Sequence, residues 1–252
     1  MRYRPLIWLV ATCVGLAASA SAGTPAPAAG LDEGQAQAAV VTFHRHPDPE
    51  RVEPILHALR GGQALNDPNG APGMIGFFAG VFERYPDRVA GWLKDLPTYA
   101  FNEQLVLLQA VWLSDTPASR AYLARAGARE AAKIGRPDIV RGPPWHISQL
   151  ALTDPLRTAV VWGHYWATGD AADVAHVIGA LGRQGGMGGL ASVDAARSLT
   201  WNAENDPAVL ALCEAASARS GAAPVLTQIV RVANARGDPM DVAQKPDRAP
   251  TP

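Results

Sequence analysis

The feature that most restricts the fold is the way this sequence begins its segments. Proline stands at the start of a segment at Pro49, Thr116-Pro117 and Asp154-Pro155. Proline is tolerated in a first helical turn because its missing N–H would have no partner there. The preceding Asp or Thr can accept the free amide hydrogens of that turn. Runs that alternate Val, Ile or Thr with polar residues between turn signals, the mark of strands, are absent. The expected fold class is all-α.

The segments between these starts read as helices with defined stops. Pro49 opens a helix through Leu59, with Val52, Leu56 and Leu59 on one face and Gly61-Gly62 as its end. The turn-dense NDPNGAPG at 66–73 precedes the aromatic segment MIGFFAGVFERY, and Pro86 restarts a short helix. Thr98 is the expected cap of a helix carrying Leu105, Leu108 and Trp112. A loop through Gly142-Pro143-Pro144 then divides a front group, 47–135, from a rear group, 145–237, within a single helical domain spanning 47–237.

The rear group repeats itself. Trp166 ends one helix before the turn ATGD and the segment AADVAHVIGAL. Trp201, 35 residues later, ends another before NAENDP and AVLALCEAA. The overlay sets Trp166 on Trp201, Val174 on Val209 and Ile178 on Cys213. Trp112, ahead of Ser114-Asp115 and Tyr122-Leu123, gives a weaker third copy. A two-helix period of this length predicts stacked antiparallel hairpins, an α-solenoid-like array in which each hairpin covers its neighbour's apolar face.

The first residues carry the pattern of a secretory signal peptide over 1–22. Arg2 and Arg4 precede an apolar run from Leu6 to Leu16, and Ala20-Ser21-Ala22 offers the cleavage site. The run is too short to span a bilayer, and no transmembrane anchor is expected. Thr12 fits a lipid-attachment box poorly, so simple cleavage is preferred over lipidation at Cys13, and the expected location is periplasmic or secreted. Cleavage would leave 20 basic against 23 acidic residues, no field to attract nucleic acid, and Cys213 as the sole cysteine, which excludes an internal disulfide. Residues 23–46 are rich in Ala, Pro and Gly and read as a flexible lead-in. Residues 238–252, with little large apolar content, read as a disordered tail.

Chemistry-bearing residues are few. In TDPLRTAVVWGHYWATGD, Leu156, Val160 and Ala167 mark one face and Ala159, Trp162 and Trp166 another, which predicts a helix buried between neighbours. Gly163 in its middle costs about 1 kcal/mol against Ala, and the expected return is close approach by another helix. Gly169 fits a left-handed helix end and Asp170 the next cap. Across that hairpin His164 would face Val174, with His176 within about one turn, so the two imidazoles could share a metal. His44 and His46, with Asp48, Glu50 and His57 nearby, form the other candidate metal pair, because alternate residues of an extended segment point the same way. The His164/His176 pair lacks the third ligand that a catalytic zinc site needs, no HExxH motif is present, and the position of His44/His46 just after the lead-in suits a loose binding site better than a preorganised catalytic one. Polar residues at a packed seam and a solvated stretch before the first helix are the preferred readings.

Other apparent motifs dissolve. LGRQGGMGGL at 181–190 lacks a phosphate-loop ending and reads as a flexible connection. Ser114 and Ser192 lie in no GxSxG elbow. Arg236-Gly237-Asp238 reads as chance. Arg120, Arg125, Arg129 and Lys133 read as a solvated helix face, and Cys213 as a buried small hydrophobe. No catalytic set emerges, so neither enzymatic activity nor a cofactor is expected. Phe77, Phe78, Val81 and Phe82 are expected in the core, with an exposed partner site as the alternative if their helix ends the stack.

GFFAGVFERYPDRVAGWL, WGHYWATGD and ARSLTWNAENDPAVLALC together resemble a family of uncharacterised secreted all-helical bacterial proteins. More distantly the hairpins resemble tetratricopeptide-like helical repeats, without that family's full pattern of small and aromatic positions. The resemblance implies an exported, all-helical protein and transfers no site residues. The functional expectation is a protein-interaction or scaffolding module, with another envelope protein as partner. The alternative is metal binding through His44/His46 or His164/His176.

Overall fold

The computed structural model describes residues 30–140, 144–181, 186–218 and 223–236. The expected signal peptide, residues 23–29 of the lead-in and the expected tail lie outside them. Within the described residues every regular element is helical and no strand occurs. The unit that begins at Leu31 is one compact body.

The lead-in expectation fails from Leu31 onward. Helix α1 (Glu33–Val41) is held by a capping box in which Asp32 accepts the Gln35 amide at 2.7 Å and Gln35 accepts the Asp32 amide at 3.1 Å. Ala36 and Val40 are fully buried, and α1 packs on α2 (Val52–Leu59) and on α9 (Pro155–Thr168). Alanine has the highest helix propensity and lets another helix come close, so an Ala-rich segment with few large side chains still joins the core.

Helix α2 follows a 3₁₀ turn at Pro49–Arg51 and ends as expected at the positive-φ Gly61. The short α3 (Gln63–Asn66) leads to α4 (Ala71–Arg84), followed by α5 (Val89–Trp92) and α6 (Phe101–Ser114). Thr98 does not cap α6. Its hydroxyl donates to the Asp95 carbonyl, and the side chain of Glu103 accepts the Ala100 amide at 2.9 Å instead. The next helical stretch runs from α7 (Pro117–Tyr122) through a π turn at Leu123–Gly127 into α8 (Ala128–Lys133). Together they fold back on α6. Asp115, at φ 43°, makes the corner and Thr116 caps α7.

The rear hairpins form as the repeat predicts. Helices α9 and α10 (Ala171–Ile178) meet at the left-handed Gly169, with Asp170 capping α10. Helices α11 (Gly186–Asn205) and α12 (Pro207–Ser217) meet at Asp206, which caps α12. Trp166 and Trp201 sit 6.4 Å apart and edge-on, and the Trp166 indole donates to Asn202 at 3.1 Å. Helix α13 (Ala223–Arg236) packs on both α11 and α12. The glycine-rich segment behaves differently from expectation, because α11 already begins at Gly186; residues 182–185 lie outside the described set.

The two groups share one continuous core rather than meeting at a subdomain boundary. The join is the α4–α9 contact, the most extensive among the described residues. A Cβ at Gly163 would overlap the Gly73 carbonyl, and one at Gly76 would overlap the Val160 carbonyl, so the two backbones touch directly. That is the close approach expected of Gly163, and its partner is a front-group helix. Phe77, Phe78 and Phe82 on the remaining sides of α4 are fully buried and join Phe43 and Trp92 in a chain of ring contacts.

Candidate functional site

His164 projects from α9 between two other helices. Its Nδ1 lies 2.6 Å from Asp173 Oδ2 on α10, and its Nε2 lies 3.0 Å from Glu83 Oε2 on α4. Two carboxylates facing two ring nitrogens require two N–H donors, which only the imidazolium supplies. Burial works against that charge, but the bonds to Asp173 and Glu83 outweigh it and hold the imidazole up at about 10. Burial likewise pushes the Asp173 carboxyl up, opposed by His164. The cluster is an ion triad tying α4, α9 and α10 together. As an imidazolium, His164 keeps no ring lone pair with which to ligate a metal.

His176 is separate from it. Its Nε2–H donates to the Leu150 carbonyl at 2.7 Å and anchors the segment ahead of α9. The chain therefore brings His164 onto two carboxylates and His176 onto a backbone carbonyl, and each imidazole has its own structural partner.

The other histidine pair is divided by local backbone. Phe43–Arg45 forms a 3₁₀ turn instead of an extended strand, so His44 and His46 do not share a side. His46 and His57 are exposed, whereas the His44 side chain is only 9% exposed. Asp48 accepts the Glu50 amide, and Glu50 pairs with Arg88. Among the described residues, no group of three or more His, Cys, Asp or Glu is placed to hold a metal ion.

His44 belongs to a cluster that no sequence motif announces. Its Nε2 lies 2.8 Å from Asp206 Oδ2. The same oxygen accepts the Tyr165 hydroxyl at 3.0 Å, while Asp206 Oδ1 accepts the Ala208 amide and lies 3.7 Å from Arg45 Nη2. The imidazole leans on the Tyr165 ring at 4.9 Å. Burial lowers the His44 pKa, opposed by Asp206 and reinforced by Arg45. Burial and the Asp206 carboxylate both raise the Tyr165 phenol. The sequence signal was present only in part: Asp206 stands in the turn NAENDP, but His44 lies 162 residues upstream.

The remaining candidates are structural. Ser114 and Ser119 share a buried hydroxyl contact at 2.7 Å. Cys213 is fully buried, and burial pushes its thiol up to about 11. Arg129 and Lys133 both pair with the buried Glu130. Of the Arg-Gly-Asp tripeptide only Arg236 is described. Phe77 and Phe78 are core residues, which removes the partner site considered there.

Surface geometry offers a different place. Between α11 and α13 runs an open groove of about 450 Å³, lined mainly by Ala196, Arg197, Thr200, Val225, Gln228 and Val232. Val193, one turn before Arg197 on α11, is 60% exposed, and Val225 is 39% exposed. A hollow of about 420 Å³ lies beside Trp145, His146, Gln149 and Arg157, with the Trp145 ring 5.5 Å from Trp112. Its lining includes the buried Leu150.

Comparison of the chain with protein-family models, curated proteins and solved structures found no match.

Proposed function

We propose that this chain is an exported protein-interaction module that receives an apolar segment of another envelope protein in the α11–α13 groove. The observation that carries this reading is the groove itself. It is walled by the last helices of the array, lined mostly by apolar or small side chains, and flanked by the exposed Val193. Helical arrays commonly bind along such inter-helix surfaces, and exposed apolar faces are where partners dock. Arg197 is the one cation among the groove-lining residues, and Asp194 is the carboxylate acting on it within α11. A partner segment with apolar side chains and a carboxylate would complement that lining. The signal-like N-terminus supports placing both proteins in the envelope. No observation favours the metal-binding alternative, since His44, His46, His164 and His176 are dispersed over separate surroundings.

The test is crosslinking and affinity capture with mature protein, residues 23–252, in the envelope of its own organism, in parallel with Val193→Asp and Val225→Asp. Both positions are exposed, so the variants should fold and lose the partner. A specific partner captured by the parent chain, lost in both variants and weakened by Arg197→Glu, is the expected result. Capture that survives all three substitutions, or no specific capture from folded bait, would overturn the reading.

A further inference from the structure

The α13 wall of the α11–α13 groove runs from Pro224 to Val232. Arg236, one turn beyond Val232, closes that helix, and the sequence continues GDPMDVAQKPDRAPTP over 237–252. This segment is therefore tethered to the wall of the groove itself. Gly237 stands one residue past Arg236, where glycine lets a chain leave a helix and turn back along it. Pro239, two residues on, is unsuited to extending the helix.

We propose that residues 238–242, Asp-Pro-Met-Asp-Val, fold back into the α11–α13 groove and fill it until a partner displaces them. The proposal rests on the reading of this groove as a docking site and adds its regulation. Length permits the contact: five extended residues span about 17 Å, and a helix wall from Pro224 to Val232 rises about 12 Å. Chemistry matches as well. Met240 and Val242 are the only large aliphatic side chains between Gly237 and Pro252. Asp238 precedes them at alternate spacing, so an extended segment turns all three to one side. That side offers two apolar groups and one carboxylate to a lining of Ala196, Val225, Ile229 and Val232 with the single cation Arg197. A short tether holds such a segment at an effective concentration on the order of millimolar, so even a weak intrinsic affinity fills the groove. A partner then meets a groove that is open only part of the time. Occupancy of about nine-tenths by the segment lowers the partner's apparent affinity about tenfold.

The experiment is methyl NMR on mature protein, residues 23–252, beside the double variant Met240→Asp/Val242→Asp. Both substitutions lie past α13, outside the helices that form the core. The methyl signals of Val225, Ile229 and Val232 should move in the variant, while those of the buried Val40, Val52 and Val89 stay. A synthetic peptide of residues 237–252, added to the variant at millimolar concentration, should return the groove signals toward their parent positions. Identical groove signals in parent and variant, or a peptide without effect on the variant, would overturn the proposal. Parent signals should be independent of dilution; a change would put the segment of a second copy in the groove and overturn the intrachain contact. Envelope capture reports on the docking reading separately. The double variant should bind the captured partner about tenfold more tightly than the parent, and equal binding would overturn the competition. Capture by neither protein would sink the docking reading alone, because the methyl signals decide the intrachain contact by themselves.

Discussion

Raising pH should dismantle the His164 triad, and the effect is large enough to measure. The imidazole stands at about 10 in the folded chain against about 6.5 in an unfolded one. At about 1.4 kcal/mol per pH unit that difference corresponds to a ceiling of about 5 kcal/mol. Glu83 is partly open to solvent, which screens its share, so we expect about 2–4 kcal/mol. A raised folded value means the stabilisation is complete below pH ~6.5 and is lost progressively as pH rises through about 10. Glutamine at position 164 removes the charge and can donate to only one of the two carboxylates, leaving Asp173 or Glu83 without its partner. Urea unfolding of wild type and His164→Gln at pH 6.5, 8 and 9.5 is the assay. The variant should be less stable by several kcal/mol at pH 6.5, as for a broken buried ion pair, and the gap should narrow steadily toward pH 9.5. Cys213 adds its own alkaline loss, since burial raises the thiol to about 11, so the difference between the two proteins is the quantity to follow. A gap that stays constant from pH 6.5 to 9.5 would refute a buried imidazolium.

Gly163→Ala places a methyl on the Gly73 carbonyl and should cost about 3 kcal/mol or more, because two helix backbones must separate. A loss below about 1 kcal/mol in denaturant unfolding would show that the α4–α9 contact yields. Phe78→Ala removes a fully buried ring between Phe77 and Phe82 and should cost about 3–5 kcal/mol; near-native stability would mean the ring is not core. Cys213 should resist a thiol reagent at pH 8 until the chain is unfolded, since it is buried and its thiol is raised to about 11. Rapid labelling of native protein would contradict its placement.

Much of the architecture was legible because helix starts, stops and small-residue contacts are written locally. Asp154, Asp170 and Asp206 cap the helices that follow them, as a short side-chain acceptor one residue ahead of a helix must. Gly169 takes the left-handed end, where a side chain would be strained. The all-helical class, the hairpin corners and the close approach at Gly163 were thus determined by the sequence itself. Four other features were decided only in three dimensions. α1 is ordered because Ala36 and Val40 find α2 and α9, and composition cannot show what surface an Ala-rich helix will meet. His164 found Glu83 and Asp173 rather than His176, because the parallel course of α4 along α9 delivers a carboxylate that no hairpin spacing contains. His44 met Asp206 across 162 positions of chain, and the α11–α13 groove arises from how the last helix seats on its neighbours. Local signals set each helix by interactions within a few residues, whereas partners of charge and exposed surface depend on the packing of helices distant in the chain.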